Sequence, residues 1–174
     1  KGNSKMRSFA DGWRHLRFML LYSPWFLFLL PGLILFVGGI IFSLFLYLGN
    51  LEIFGLKLYY HPMFFASLLI IVGYQLIIFS IFAKTYAITH LGESSPILDK
   101  VHRFLTIEKA SVFGLVLGAF GVLIYVYIFY SWLKSDFGPL QQVQNSIVAL
   151  TFIVISLQTI FSSFMLSILG IKEE

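Results

Sequence analysis

The sequence predicts an all-α integral membrane protein with four transmembrane helices, an N-terminal amphipathic interfacial helix and a second interfacial helix in the 84–109 loop. Hydrophobic residues make up 59% of the chain and charged residues only 11%, whereas soluble domains carry about 25% charged residues. Four apolar stretches are each long enough to cross a bilayer, which takes about 20 helical residues. The few charges lie between these stretches, where membrane edges are expected.

An amphipathic segment precedes the first span. Its apolar side chains share one face of a helix at spacings of four, three and four residues: Phe9, Trp13, Leu16 and Leu20. Charged and polar residues, Arg14 and Arg17 among them, occupy most of the remaining positions around this helix. A basic helix with tryptophan and leucine on its other face lies in the headgroup plane. Ser23 and Pro24 are expected to end it, because proline lacks an amide donor and disfavours helix in the preceding residue.

The first two spans are expected over about 24–48 and 62–83. The first carries a patch of small residues, Gly38, Gly39 and Ser43, which lets another helix approach closely. The second contains an amide, Gln75, near mid-depth. The connection between the two spans starts with an alternating pattern that soon breaks, so it is interpreted as a loop or a short hairpin.

The longest polar connection, residues 84–109, contains a helix start at Ser95 and Pro96. An apolar stripe follows and predicts the second interfacial helix: Ile97, Leu98, Val101, Phe104 and Leu105. This helix is expected at the same membrane face as the first interfacial helix.

The third and fourth spans are expected over about 110–133 and 143–171. Small residues recur on one side of the third span, at Ala110, Gly114, Gly118 and Gly121. Helix packing explains this pattern better than a ligand passage. The fourth span carries hydroxyl side chains and Gln158, which are interpreted as hydrogen-bonding groups between helices rather than as substrate contacts.

Lysine and arginine are distributed unevenly between the two membrane faces. Residues 1–22 hold five, residues 84–109 hold four, and the C-terminal tail adds Lys172. The alternate connections hold only Lys57 and Lys134. This ten-to-two bias predicts that both termini and the 84–109 loop are cytoplasmic.

Several chemistries are excluded or disfavoured by the residue types present. The chain has no cysteine, so it has no disulfide, thiolate nucleophile or cysteine-ligated metal. The spans contain no carboxylate, lysine or arginine, which argues against an ion-coupled transporter. The four histidines lack metal-ligand spacing. Cations that lie at membrane edges favour anionic lipid over nucleic acid as the partner.

Two groups of sequence runs are distinctive. The first group lies at the start of the chain: GNSKM at 2–6, DGWRHLRFML at 11–20 and YSP at 22–24. The second lies towards its end: FGPL at 137–140, QTIFSSF at 158–164 and SILG at 167–170. These runs resemble the domain junction and the last span of family 2 polyprenyl-phosphate glycosyltransferases, the dolichol-phosphate mannose synthase-like and dolichol-phosphate glucose synthetase-like enzymes.

The resemblance implies that a G-x-S-K element ends a catalytic domain and that the D-G-W-R-H-L-R-F helix leads into the membrane. Residues 1–23 are then the end of the catalytic domain with the juxtamembrane helix, and residues 24–171 are the four-helix transmembrane domain. The nucleotide-sugar-binding fold, its Asp-x-Asp motif and its divalent metal are expected before Lys1. The chain itself is therefore expected to hold no cofactor and to be inactive alone.

In this family, a sugar moves from a nucleotide donor to polyprenyl phosphate at the cytoplasmic face. The predicted acceptor-phosphate-binding residues are Ser4, Lys5, Arg14 and Arg17. The resemblance implies the first two, which match the family's acceptor-proximal motif. The arginines are inferred from their place at headgroup depth and from the bidentate binding of phosphate by guanidinium.

The expected partners are polyprenyl phosphate and membrane phospholipids, without nucleic acid, and homo-oligomerisation is left open. The expected location is the cell membrane, most simply a prokaryotic plasma membrane. Two other classes stay open: a non-catalytic four-span protein that binds or translocates polyprenyl-linked sugars, and a structural membrane anchor. In the anchor alternative the N-terminal cations only fix topology and hold phospholipid phosphates.

Overall fold

Four long helices dominate the computed structural model, which describes residues 11–15, 25–49, 52–53, 56–57, 60–91, 107–138 and 142–170. They are α1 (Leu30–Leu48), α2 (His61–Leu91), α3 (Ile107–Lys134) and α4 (Val143–Leu169). All four are long and apolar enough to cross a membrane. The predicted fold class, an all-α membrane protein with four spans, is therefore confirmed.

A π-helical turn, Trp25–Leu29, leads directly into α1. Pro31 lies in the first turn of α1, directly after this π-helical turn. Its missing N–H removes one hydrogen bond of the helical backbone. The proline thus lies within a continuous helical segment rather than at a break.

The second helix extends further than the sequence predicts. The predicted span ends at Ala83, but α2 continues to Leu91 and has 31 residues, which is about 46 Å of helix. The prediction placed the end where the apolar run stops at Lys84, yet a lysine is a good helix former. The first eight residues of the predicted 84–109 loop are therefore helical, and α3 begins at Ile107 rather than at Ala110.

The connection between α1 and α2 contains a short hairpin. Strand β1 (Glu52–Ile53) pairs antiparallel with β2 (Leu56–Lys57), and Glu52 lies opposite Lys57 in the register. Opposite charges at facing positions favour such a pair. The hairpin alternative for this connection is confirmed.

The first helix and α2 pack antiparallel through glycines. A Cβ atom on Gly32 would lie 3.0 Å from the carbonyl oxygen of Gly73, and one on Gly39 would lie 2.9 Å from the backbone nitrogen of Ile70. Only glycine allows the two backbones to come this close. Gly38, by contrast, has nothing within 4 Å of its Cβ position, so the predicted packing patch is right for Gly39 and wrong for Gly38.

The third helix packs antiparallel on α4 in the same way. Cβ atoms added at Gly114 and Gly121 would lie 2.7 Å from Ile160 and 2.8 Å from Ile153. Gly118 faces the side chain of Ser156. The interpretation of this glycine face as a helix-packing surface is confirmed.

The two helical hairpins meet where α2 lies parallel to α4. A buried apolar cluster occupies the end of this contact that lies away from the N-terminus: Leu46, Met63, Ala66 and Ile147. In the membrane-spanning stretches of the inner helices α2 and α4, 33% and 28% of the residues are buried. In those of the outer helices α1 and α3, the buried share is 11% each. The start of α1 and the end of α4 consequently lie at the same end of the bundle.

Only part of the predicted interfacial segments falls within the described residues. Residues 11–15 are helical, as the amphipathic pattern predicts. The remainder of that segment and the predicted second interfacial helix lie outside the described residues, so both stay predictions.

Candidate functional site

Of the four predicted acceptor-phosphate residues, the structure describes Arg14. It lies in the helical stretch of residues 11–15 and is exposed to the surroundings. Trp13 in the same stretch is 60% exposed. Ser4, Lys5 and Arg17 lie outside the described residues, so the predicted cluster stays a prediction.

The end of the bundle from which α1 starts carries cations on two helices. Lys84 on α2 is half-buried, whereas Glu108 and Lys109 in the first turn of α3 are exposed. Lys57 and Lys134 belong to the connections at the opposite end. The described geometry thus separates the cations between the two ends of the bundle in the way the sequence predicts.

The last turns of α2 close this end by packing tightly. Thr85 and Ala87 are 0% and 1% exposed, although they follow a charged residue in sequence. The Thr89 hydroxyl lies 2.9 Å from the carbonyl oxygen of Thr85 in its own helix and 3.0 Å from that of Leu169 at the end of α4. Its single proton is within reach of both. A packed helix pair, rather than a loop, therefore occupies this end of the bundle between α2 and α4.

Polar side chains line the contact between α2 and α4 along its length, and we call this contact the polar seam. Its side-chain pairs are Ser67 with Thr151 at 2.6 Å, Tyr74 with Thr159 at 2.6 Å, and Gln75 with Gln158 at 2.8 Å. A further pair, Ser111 with Ser163 at 2.9 Å, joins α3 to α4. The interpretation of Gln158 as a group that joins helices is confirmed.

A second polar group lies at the far end of the bundle. The Tyr47 hydroxyl donates to Oδ1 of Asn145 at 2.9 Å, and Nδ2 of Asn145 donates to Oε1 of Gln142. The first bond joins the end of α1 to the start of α4, and the second lies within the start of α4. Sequence reasoning missed them, although amides in the first turn of a span and a tyrosine in the last turn of another are a usable signal for contact at one membrane edge.

Among the described residues, no group of three or more histidine, aspartate or glutamate side chains is placed to hold a metal ion. The described polar groups make helix-to-helix hydrogen bonds, and none of these pairs combines a nucleophile with a base. What the described arrangement offers chemically is an apolar surface for lipid, with Lys84, Lys109 and Glu108 at one edge.

The lipid-facing surface is large and lies mainly on the outer helices. Exposed apolar side chains on α1 include Ile34 at 64% and Phe45 at 61%, and those on α3 include Val116 at 61% and Leu123 at 63%. In a membrane such side chains contact acyl chains. This surface is continuous with the cationic end of the bundle along both helices.

Four apolar spans in two glycine-packed hairpins define a multi-pass integral membrane protein. The family model of the glycosyltransferase family 2 C-terminal transmembrane region matches residues 81–170, which are 90 of the 174 residues. The chain therefore belongs to the family of C-terminal transmembrane regions of glycosyltransferase family 2.

A curated relative covers nearly the whole chain. It is the low-salt glycan biosynthesis hexosyltransferase Agl6 of Haloferax volcanii, which is 32% identical over 170 residues, or 98% of this chain and 41% of the relative. The chain therefore spans about two fifths of the length of that relative. No solved structure matches the chain. The resemblance to family 2 glycosyltransferases is confirmed.

Proposed function

We propose that the chain is the membrane-anchoring and acceptor-facing region of a glycosyltransferase that moves a hexosyl group from a nucleotide sugar to polyprenyl phosphate. The observation that carries the proposal is the 32% identity to a hexosyltransferase over 98% of the chain. The family match, which covers the last third of α2 and all of α3 and α4, supports it as well. The transfer takes place at the cytoplasmic face of the cell membrane.

The acceptor explains why such an enzyme needs a membrane region of this kind. In the transfer, an oxygen of the polyprenyl phosphate bonds to C1 of the sugar, and the bond between C1 and the nucleotide phosphate breaks. The nucleotide leaves with the electron pair of that bond. The acceptor phosphate therefore has to be held at headgroup depth while its isoprenoid tail stays in hydrocarbon.

The residues proposed to hold the phosphate are Ser4, Lys5, Arg14 and Arg17. Arg14 is exposed within its helical stretch, and a guanidinium binds phosphate oxygens in bidentate fashion. The neighbouring Trp13 suits the membrane interface, where its ring sets the depth of the stretch. The tail lies along the exposed apolar face of α1, the first span after this stretch.

The cytoplasmic orientation is proposed from charge and topology together. Ten of the twelve lysines and arginines lie in segments attached to one end of the bundle, and such an excess marks the cytoplasmic side. The antiparallel hairpins bring the start of α1 and the end of α4 to that same end. A divalent metal and the nucleotide sugar are proposed to bind in a catalytic domain outside this chain.

The experiment that tests this function uses the intact protein that contains the chain, purified in lipid nanodiscs. It is incubated with a divalent metal, polyprenyl phosphate and a panel of radiolabelled nucleotide hexoses, and the lipid extract is examined for labelled glycolipid. We expect a product with at least one donor, and none when polyprenol replaces polyprenyl phosphate. The absence of product with every donor, or transfer to polyprenol at the same rate, contradicts the proposal.

A further inference from the structure

A lysine lies inside the second transmembrane helix. The sequence predicts that the span ends before Lys84, but the stretch of α2 that can cross a membrane runs from His61 to Thr89. Lys84 is half-buried in this stretch. Thr89 contacts the end of α4, so Lys84 lies about 7.5 Å inside the packed end of the bundle. An ionisable side chain in a membrane-spanning helix indicates a functional site, because its charge is costly without a partner.

The position of Lys84 on α2 belongs to the face that packs against α1. The residues of α2 that lie against α1 recur every three or four positions: Ala66, Ile70, Gly73 and Ile77. Ser80 is the next in this series and is 2% exposed, and Lys84 follows it. Lys84 comes eighteen residues after Ala66, which is five complete turns, so the two side chains leave the helix in the same direction. An otherwise apolar or small-residue stripe thus ends in a cation.

Lys84 also lies at the level where the chain enters the first span. The helices are antiparallel, and the ring centroids of Phe28 and Phe79 are 6.3 Å apart. Lys84 follows Phe79 by five residues, which extends α2 past the level of Trp25, the first residue of the π-helical turn. Residues 1–24, which contain the four predicted acceptor-phosphate residues, join the first span at this level.

The carboxylate of Glu108 at the same end of the bundle belongs to a different side. It lies in the first turn of α3, which packs on α4, whereas Lys84 lies on the face of α2 that meets α1. A lysine ammonium has three donors, so it can bind an added anion beside its contacts within the chain. The anion that the proposed function brings to this depth is the acceptor phosphate.

We propose that Lys84 binds the phosphate of polyprenyl phosphate from the membrane side and is a further residue of the acceptor site. This inference rests on the proposed function. The apolar stem of a lysine packs within the stripe while its ammonium reaches headgroup depth. A phosphate held there places the first isoprene units at the start of α1, along whose exposed face the tail lies.

The test measures equilibrium binding of radiolabelled polyprenyl phosphate to the intact protein in lipid nanodiscs, without a nucleotide sugar. Lys84→Met keeps an apolar stem and removes the ammonium. We expect binding to weaken about 10- to 150-fold at low and at high salt, as for the loss of a charge-assisted bond. Lys84→Arg keeps the positive charge and is expected to bind the lipid more tightly than Lys84→Met does.

The matched control is Lys109→Met, which removes an exposed cation at the same end of the bundle. It is expected to weaken binding by at most about fivefold, and only at low salt, because it removes one generic cation.

A second measurement uses the unchanged protein and does not depend on any variant folding. With nitrogen-15 in the lysine side chains, solid-state NMR detects the dipolar coupling between Nζ of Lys84 and the phosphorus of bound polyprenyl phosphate. We expect a separation of at most about 4 Å, since a bond from an ammonium to a phosphate oxygen is about 2.7–2.9 Å long. The signal of Lys84 is assigned by its loss in Lys84→Arg.

Three results overturn the inference. The first is the absence of coupling between Lys84 and the phosphorus of the bound lipid. The second is an equal loss of binding in Lys84→Met and Lys109→Met that high salt removes. The third is displacement of polyprenyl phosphate by an equal amount of phosphatidic acid, another phosphate monoester, which shows a general headgroup site.

The proposed function fails in a different way. It is wrong if the unchanged protein binds polyprenyl phosphate at Lys84 but forms no glycolipid with any hexose donor. If glycolipid forms and Lys84→Met depends on acceptor concentration as the unchanged protein does, the function stands and the role of Lys84 is wrong.

Discussion

At the residue scale, the hydrogen bonds of the polar seam select one register between α2 and α4. Each such bond between membrane helices contributes on average about 0.6 kcal/mol and at most about 1.7 kcal/mol. Three pairs within the seam span from Ser67 to Gln75 on α2. A slip by one residue breaks all of them at once, so their combined effect lies in specificity more than in strength.

Arg14 differs from the seam residues because its side chain faces outward. It is exposed in the helical stretch of residues 11–15. Generic attraction to anionic lipid contributes about 1 kcal/mol per cation and is weakened by salt. A direct bond to the acceptor phosphate contributes about 1.5–3 kcal/mol, so the two roles can be separated by measurement.

The prediction concerns Arg14→Ala in the intact protein. We expect the apparent affinity for polyprenyl phosphate to fall about 10- to 150-fold, since a charge-assisted bond is lost. The same loss is expected for Lys5→Ala and Arg17→Ala. The measurement is the dependence of the transfer rate on polyprenyl phosphate concentration, at low and at high salt.

The matched control is Arg103→Ala, a cation in the predicted second interfacial segment. It is expected to lower the apparent affinity by at most about fivefold at low salt, the effect of one generic cation, and to have little effect at high salt. The assigned phosphate site is wrong if all four variants weaken acceptor use equally and high salt removes their difference from the unchanged protein. These cations then only hold the chain at the membrane surface.

At the element scale, glycines decide how the helices of each hairpin pack. In lipid there is no hydrophobic driving force between helices, so close backbone contact has to supply the attraction. The spacing in the sequence predicts the face of α3 because one side of a helix recurs every three or four residues. It does not distinguish Gly39 from Gly38, because adjacent residues lie only about 100° apart on a helix. The sequence does not show which of these two directions faces α2.

Gly73→Ala tests the packing of α1 on α2. A Cβ atom here would lie 2.8 Å from the carbonyl oxygen of Gly32 and at the same distance from the Cα atom of Phe36, which is backbone and cannot rotate away. We expect the free energy of unfolding to fall by about 1–3 kcal/mol, as for other overpacked cores. The measurement is reversible unfolding of the chain in mixed micelles.

Gly38→Ala is the control in the same hairpin, because nothing lies within 4 Å of its Cβ position. It is expected to leave the stability unchanged or slightly higher, since alanine is the better helix former. Equal destabilisation by both substitutions contradicts the glycine-mediated contact.

The lengths of the helices were only partly predictable. Hydropathy marks where the apolar run of α2 stops at Lys84, but helix continuation depends on backbone hydrogen bonds and on tertiary contacts. The buried Thr85 and the contact of Thr89 with the end of α4 provide those contacts. The partners of the seam residues were not predictable either, because periodicity shows which side chains share a face and not which helix that face meets.

At the scale of the whole molecule, two hairpins lie side by side and expose α1 and α3 to lipid. This arrangement follows from the glycine faces and the seam, and it brings the cationic segments to one end. The end that faces the cytoplasm is a proposal from the charge bias, and a labelling experiment decides it.

The topology prediction uses the absence of cysteine from the chain, which allows single cysteines to be introduced without background. Lys57→Cys and Asp136→Cys are expected to react with a membrane-impermeant maleimide on intact cells. Asp11→Cys and Glu108→Cys are expected to react only after the membrane is opened. If Lys57→Cys and Asp136→Cys react only after the membrane is opened, the orientation is the reverse of the one proposed.

The most direct test of the proposed function locates the acceptor on the chain itself. A polyprenyl phosphate with a photoactivatable group next to the phosphate is added to the chain in lipid nanodiscs, and the cross-linked peptides are mapped by mass spectrometry. We predict that the label falls within residues 1–22 or near Lys84, and that excess unlabelled polyprenyl phosphate competes with it, whereas excess phosphatidylglycerol does not. Label that is spread over both ends of the bundle, or that phosphatidylglycerol displaces equally well, contradicts an acceptor site in this chain.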